Sequence, residues 1–199
     1  LAIGPKAHDG FMARHFDRHI SLSVSRRLLD TPISPNIMTA LSCLLGLAGA
    51  AFFIKARPIM HLCGAILVWL HSVLDGCDGE LARIRFQESR WGGALDFWSD
   101  NIVHLALFGA IALGLYQATG KILCLVLGAC AGAGILGSAF LVFNNKSISP
   151  PSRDFIYLLL LMAYWNWTYY FLWAGAVGAP IFLLLLTMKK NTQTLEKLS

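Results

Sequence analysis

Four carboxylates stand in two close pairs, Asp75 with Asp78 and Asp96 with Asp100, inside otherwise apolar stretches of the chain. On a helix turning about 100° per residue, the first pair lies about 60° apart and the second about 40° apart, so each pair shares a face. A carboxylate at bilayer depth costs about 2.5 to 3.5 kcal/mol even on insertion scales, so such a cluster calls for a compensating cation. No paired basic residue stands on those faces, and oxygen-only ligands suit hard divalent ions. The expected cofactor is therefore Mg2+ or Mn2+, with enough carboxylates for two ions. The cysteines and histidines lack a zinc arrangement. His71 and His104 lie one helical turn outside Asp75 and Asp100 on the same faces, and read either as supports for the ligating carboxylates or as helix packing.

Small residues accompany the acids. Gly76, Gly79 and Ala82 follow the first pair and Gly92 and Gly93 precede the second. Each alone is compatible with helix packing. Together with the carboxylates they predict a groove in which a ligand approaches backbone and metals closely.

The elements that position these residues are membrane helices. The 199 residues are 56% hydrophobic and 14% charged, with a mean hydropathy of +0.61, well outside soluble-domain averages. A span needs about 20 apolar residues, which predicts an all-α integral membrane protein of six transmembrane helices. The predicted spans are 37–54, 58–86, 92–116, 122–143, 155–165 and 171–188, the first announced by Ser34 as cap and Pro35 at a first helical position. Ahead of them, Met12, Phe16, Ile20, Val24 and Leu28 recur every four residues among arginines. This predicts an N-terminal amphipathic helix lying in the interface, or packed as a cap on the bundle. The organisation expected is a 1–35 N-terminal segment, a 36–189 catalytic membrane domain and a 190–199 cytoplasmic tail. Gly128 and Gly132, in G-x-x-x-G spacing, favour packing within one subunit over a homodimer seam.

Six spans put thirteen of the sixteen Lys and Arg residues on one side with both termini, leaving Lys55, Arg57 and Lys121 on the other. The positive-inside rule makes that side cytoplasmic, together with the carboxylates and the loop between spans two and three. The net charge of +5 is thereby read as topology, with no nucleic-acid partner. The five cysteines form no C-x-x-C pair and read as small apolar side chains. Leu1 is not a start methionine and no cleavable leader is evident, so the chain is expected to be trimmed or to belong to something longer.

The run Asp75-Gly-Cys-Asp78-Gly79-Glu-Leu-Ala82-Arg83, then Gly92, Asp96 and Asp100, spells D-x-x-D-G-x-x-A-R-x8-G-x3-D-x3-D. It resembles the signature of the CDP-alcohol phosphotransferase family, with all eight fixed positions present across 26 residues. The resemblance implies transfer of a phosphoalcohol group from a CDP-alcohol to an acceptor hydroxyl, with release of CMP. Asp75, Asp78 and Asp96 would bind the metals, and Asp100 would complete the metal site and act as general base. Asp75, Gly79, Ala82, Arg83 and Gly92 would line the nucleotide pocket.

Lys146 and Arg153, in the predicted cytoplasmic loop between spans four and five, suit the phosphate of an acceptor such as an inositol phosphate, or else serve only as positive-inside charge. Asp9-Gly10, the Arg-rich helix and Ser152-Arg153-Asp154-Phe155 resemble the inositol-phosphate-using members related to di-myo-inositol phosphate phosphate synthase. Some of those are fused to a cytidylyltransferase domain, which would then lie upstream. A membrane prenyltransferase and a cation transporter are the rival readings, but neither requires Ala82, Arg83 and Gly92 at these spacings.

Overall fold

The computed structural model describes residues 16–145 and 153–196, and every regular element among them is a helix. A short α1 (Arg18–Leu28) precedes α2 (Pro35–Phe52), α3 (Pro58–Ile84), α4 (Arg90–Thr119), α5 (Leu123–Asn144), α6 (Phe155–Tyr164) and α7 (Thr168–Glu196). The predicted start of α2 is realised as read: Ser34 accepts a hydrogen bond from Ile37 N, with Pro35 inside the first turn. Ser89 caps α4 in the same way through Gly92 N.

Helices α2, α3, α4, α5 and α7 are long and apolar enough to cross a membrane, whereas α6 has 10 residues, about 15 Å. The fifth predicted span is thus shorter than a bilayer. Its two ends explain why. Arg153, just before α6, bonds Asp75 deep in the bundle. Thr168, just after the turn that ends α6, bonds His61 near the start of α3. The helix therefore begins at the level of the carboxylates, and still reverses the chain direction. Asn166, at a left-handed φ of 58°, closes its C-terminus through Trp167 N to Met162 O.

Helix α2 is the wedge of the bundle. It packs against both α3 and α4, which touch each other little despite their short connection. The two carboxylate-bearing helices are thus held apart by a gap. Glycine makes the wedge fit: a Cβ on Gly49 would lie 2.9 Å from the carbonyl oxygen of Gly64, so α2 and α3 meet backbone to backbone. Gly128 on α5 lies against Ala112 of α4, so the G-x-x-x-G glycine seats two helices of one subunit. The main core, with Phe53, Val68, Leu107, Ile111, Leu159 and Leu172, fills the half of the bundle remote from the carboxylates.

The α1 helix settles on α3 through polar contacts. Glu80, fully buried, accepts from Arg18 at 2.9 Å, Ser21 at 2.8 Å and Ser25 at 2.7 Å. Arg85 gathers the carbonyls of Leu28, Leu29, Thr31 and Ile33 at 2.5–2.9 Å, satisfying the exposed end of α1 and the following turn. Of the apolar stripe, Val24 and Leu28 pack inward while Phe16 and Ile20 stay exposed. The helix thus acts as a cap that turns part of its apolar face outward; Met12, Arg14 and the rest of residues 1–15 lie outside the described residues.

Removing one partner of a buried charge pair costs about 3 to 5 kcal/mol. Glu80→Ala should accordingly lower the unfolding temperature of the detergent-solubilised protein clearly, and Glu80→Gln less, since its amide oxygen still accepts from a serine. An unchanged melting curve for Glu80→Ala would contradict this role for the α1 lock.

Candidate metal and substrate site

The gap that α2 holds open between α3 and α4 is where the carboxylates converge. One oxygen from each of Asp75, Asp78 and Asp96 lies within 4.8 Å of the others. Among the described residues Asp75 Oδ1 and Asp96 Oδ1 are buried without a hydrogen-bond partner, an arrangement costly for acceptors unless a cation lies between them. Asp78 is oriented by Thr39 of α2 and by the backbone N–H of Gly79. Three converging, preoriented carboxylates with unfilled acceptor atoms fit a hard divalent cation.

Asp100 stands apart from this trio. Its Oδ2 lies 2.8 Å from Arg153 Nη2 and its Oδ1 lies 3.4 Å from His71 Nε2. Arg153 also reaches Asp75 Oδ2 at 2.5 Å, so one guanidinium spans both aspartate-bearing helices from the chain segment before α6. Burial opposes its charge, but Asp100, Asp75 and Asp96 outweigh that and hold the guanidinium above even its usual high pKa. Arg153 supplies the positive charge that the faces of α3 and α4 lack. Lys146, its predicted companion, lies outside the described residues.

Two pockets flank the carboxylates. A larger one of about 700 Å³ is lined by Asp75, Asp96, Asp100 and Arg153, and extends along Phe108, Ile135, Ala139, Phe171 and Phe182. A smaller one of about 180 Å³ brings together Gly79, Ala82, Arg83 and Gly92. These are the four residues expected on the nucleotide side, whereas Asp75, expected there too, lines the larger cavity. Asp96 and Gly93 line both pockets, so Asp96 marks the partition between them.

The structure adds residues that the signature did not name. Asn36, Thr39, Gln87, Glu88 and Ser89 join the small pocket. A left-handed Phe86, φ 56°, ends α3, with Gln87 N returning to Ala82 O at 2.8 Å, and this folds residues 87–89 over the pocket. Thr39 had a visible signal, standing one turn after the Pro35-Asn36 start of α2. Asp17 had none. It lines the large cavity and accepts from Tyr157 at 2.5 Å and Trp69 at 3.3 Å, bringing together the start of α1, α3 and α6. Burial raises its pKa, against the lowering effect of those two hydrogen bonds.

Comparison with known proteins places this geometry among relatives. The family model described as CDP-alcohol phosphatidyltransferase matches residues 32–182. A bifunctional IPC transferase and DIPP synthase of Rubrobacter xylanophilus is 40% identical over 147 residues, covering 74% of this chain and 31% of that protein. A phosphatidylinositol phosphate synthase of Streptomyces avermitilis is 32% identical over 141 residues, covering 70% of this chain and 56% of that protein. The chain thus spans less than two thirds of the length of either relative. The crystal structure of Mycobacterium tuberculosis phosphatidylinositol phosphate synthase with CDP-DAG bound superposes with a TM-score of 0.72 at 19% identity, over 85% of this chain and 92% of that one. The same enzyme in complex with manganese and citrate gives 0.63, also at 19% identity, over 83% and 88%.

If the trio holds a cation, manganese should raise the melting temperature of the wild-type protein. At a concentration about 100 times Kd this amounts to about 2.7 kcal/mol. Asp96→Asn should lose most of that increment, and an equal increment in the variant would exclude Asp96 as a ligand.

Proposed function

The chain belongs to the CDP-alcohol phosphatidyltransferase family, and on that premise we propose that it transfers a phosphoalcohol group from a CDP-alcohol to the hydroxyl of a second alcohol, releasing CMP. The observation that carries the reading is the divided cavity: signature residues line a small pocket on one side of Asp96, and a larger chamber opens on the other. The nucleotide half of the donor belongs in the small pocket, against Gly79, Ala82, Arg83 and Gly92. The alcohol half and the acceptor belong in the large one.

Asp75, Asp78 and Asp96 are the residues to hold Mg2+ or Mn2+, with Asp100 beside them completing a set that suits two ions. A divalent ion bound there would neutralise the diphosphate and the departing CMP. The protein's own contribution is positioning and proton transfer. In the step proposed, the acceptor oxygen bonds to the phosphorus that carries the donor alcohol. The bond from that phosphorus to the oxygen bridging to CMP breaks, CMP leaves with the bridging oxygen, and Asp100 takes the hydroxyl proton.

Arg153 suits the phosphate of a phosphorylated polyol, since its guanidinium borders the large cavity beside Asp100 and offers paired donors. The apolar depth of that cavity, walled by Phe108, Phe171 and Phe182, favours a donor whose alcohol carries acyl chains. A soluble CDP-polyol is the alternative donor. A cytidylyltransferase-like domain, as the longer relatives allow, would supply such a donor.

Orientation follows from the charge asymmetry and the helix directions. Both α2 at its start and α7 at its end lie toward the carboxylate end of the bundle, since α7 and α5 run side by side in the same direction through Gly134 with Ala179 and Gly137 with Leu183. The proposal sets that end, and both termini, on the cytoplasmic side.

The test is CMP release by the reconstituted protein given CDP-diacylglycerol or CDP-inositol with inositol phosphate as acceptor. Metal-dependent release is expected with one donor, and its absence with both would overturn the reading. Asp100→Asn should lose turnover by at least a hundredfold while keeping its fold, and near wild-type release would remove its role as base. Arg153→Ala should raise KM for the phosphorylated acceptor at least tenfold, and an unchanged acceptor KM would remove its role as phosphate clamp.

A further inference from the structure

His71 is buried to 1% exposure on α3, and its surroundings are those of a built seat rather than of a packing residue. Its Nδ1 lies 2.9 Å from the carbonyl oxygen of Ser42 on α2. A carbonyl only accepts, so Nδ1 carries the hydrogen and the ring is tied to the α2 backbone. The other ring nitrogen, Nε2, is buried and faces a second acceptor, Oδ1 of Asp100 on α4, 3.4 Å away, so the ring set between these two acceptors is the imidazolium, with Nε2–H directed at the carboxylate. Space for the ring comes from a missing side chain: a Cβ on Gly46 would stand 2.8 Å from His71 Cγ and 2.7 Å from Val103 Cγ1. His104 has no comparable seat, lying edge-on against Phe155 beside the large cavity.

We infer that His71 is a positioning residue that holds the Asp100 carboxylate in its working orientation, an inference resting on the transferase reading above. Arg153 holds Oδ2 of Asp100 and His71 faces Oδ1. When an acceptor phosphate draws the guanidinium of Arg153 to itself, His71 remains as the one backbone-anchored contact of the pair. It then keeps Oδ2 turned toward the acceptor hydroxyl. Without it the aspartate is free to rotate about its side-chain bonds, and a displacement of about 1 Å at the reacting atoms lowers turnover about a hundredfold. The Asp75, Asp78 and Asp96 trio converges without Asp100, so a cation held by those three is retained when Asp100 loses its support.

The variants that separate the two ring edges are His71→Gln, whose amide nitrogen occupies the place of Nε2, and His71→Asn, whose amide nitrogen reaches only that of Nδ1. His71→Asn should lose kcat at least thirtyfold with donor and acceptor KM within twofold of wild type, and His71→Gln should recover at least a tenth of the wild-type kcat. Both should keep the manganese-dependent rise in melting temperature. Equal losses in the two variants, a loss expressed in KM, or a missing manganese increment would overturn the inference in favour of packing. Should His71→Asn fail to fold, Gly46→Ala displaces the ring without altering it: a kcat loss at constant KM supports the inference, and an unchanged kcat refutes it. These outcomes leave CMP release by the wild-type protein intact, whereas its absence removes the transferase reading and this inference together.

Discussion

Carboxylates set among apolar helices must be matched by donors or positive charge, because neither lipid nor a packed core can solvate them. The departures of this bundle from a simple stack of hydrophobic rods answer that demand. Glu80 draws in Arg18, Ser21 and Ser25, which brings α1 down onto α3. Asp78 takes Thr39 from α2. Asp75 and Asp100 share the guanidinium of Arg153, and that contact fixes where the short α6 begins. The two oxygens left over, on Asp75 and Asp96, are the atoms that a cation is proposed to complete.

The same demand links architecture to selectivity. Because α2 wedges α3 and α4 apart, the carboxylates face one another across a cleft and divide it into two chambers of unequal size and character. A small polar pocket beside a large chamber with an apolar floor suits a reactant made of a nucleotide joined to a variable alcohol. The helices that carry Asp75, Asp78, Asp96 and Asp100 bring the carboxylates together, while α5, α6 and α7 contribute walls of the large chamber. Arg153 belongs to that second group, yet it touches the first. Its guanidinium joins Asp75 and Asp100 across the cleft.

Much of this was legible in the sequence because spacing on a helix translates directly into a shared face. The pairs at 75/78 and 96/100, the Ser34-Pro35 start and the glycines of the small pocket all follow from periods of three and four residues. Less legible were contacts between elements far apart in the chain. Arg153 looked like a loop charge until the fold carried it some fifty residues back in sequence, to Asp100. The serines that face Glu80 sit on a helix whose periodicity drew attention to its apolar stripe instead. The span over 155–165 reads as the fifth of six crossings because hydropathy registers apolar length and does not register that one end starts beside a buried ion pair.

Anomalous diffraction from crystals of the protein grown with manganese and CMP tests most directly the proposed sharing of one set of carboxylates between cation and guanidinium. The prediction is manganese bound among Asp75, Asp78 and Asp96, CMP in the pocket lined by Gly79, Ala82 and Gly92, and Arg153 withdrawn from Asp75. Manganese bound elsewhere, with Arg153 still bridging Asp75 and Asp100, would contradict it.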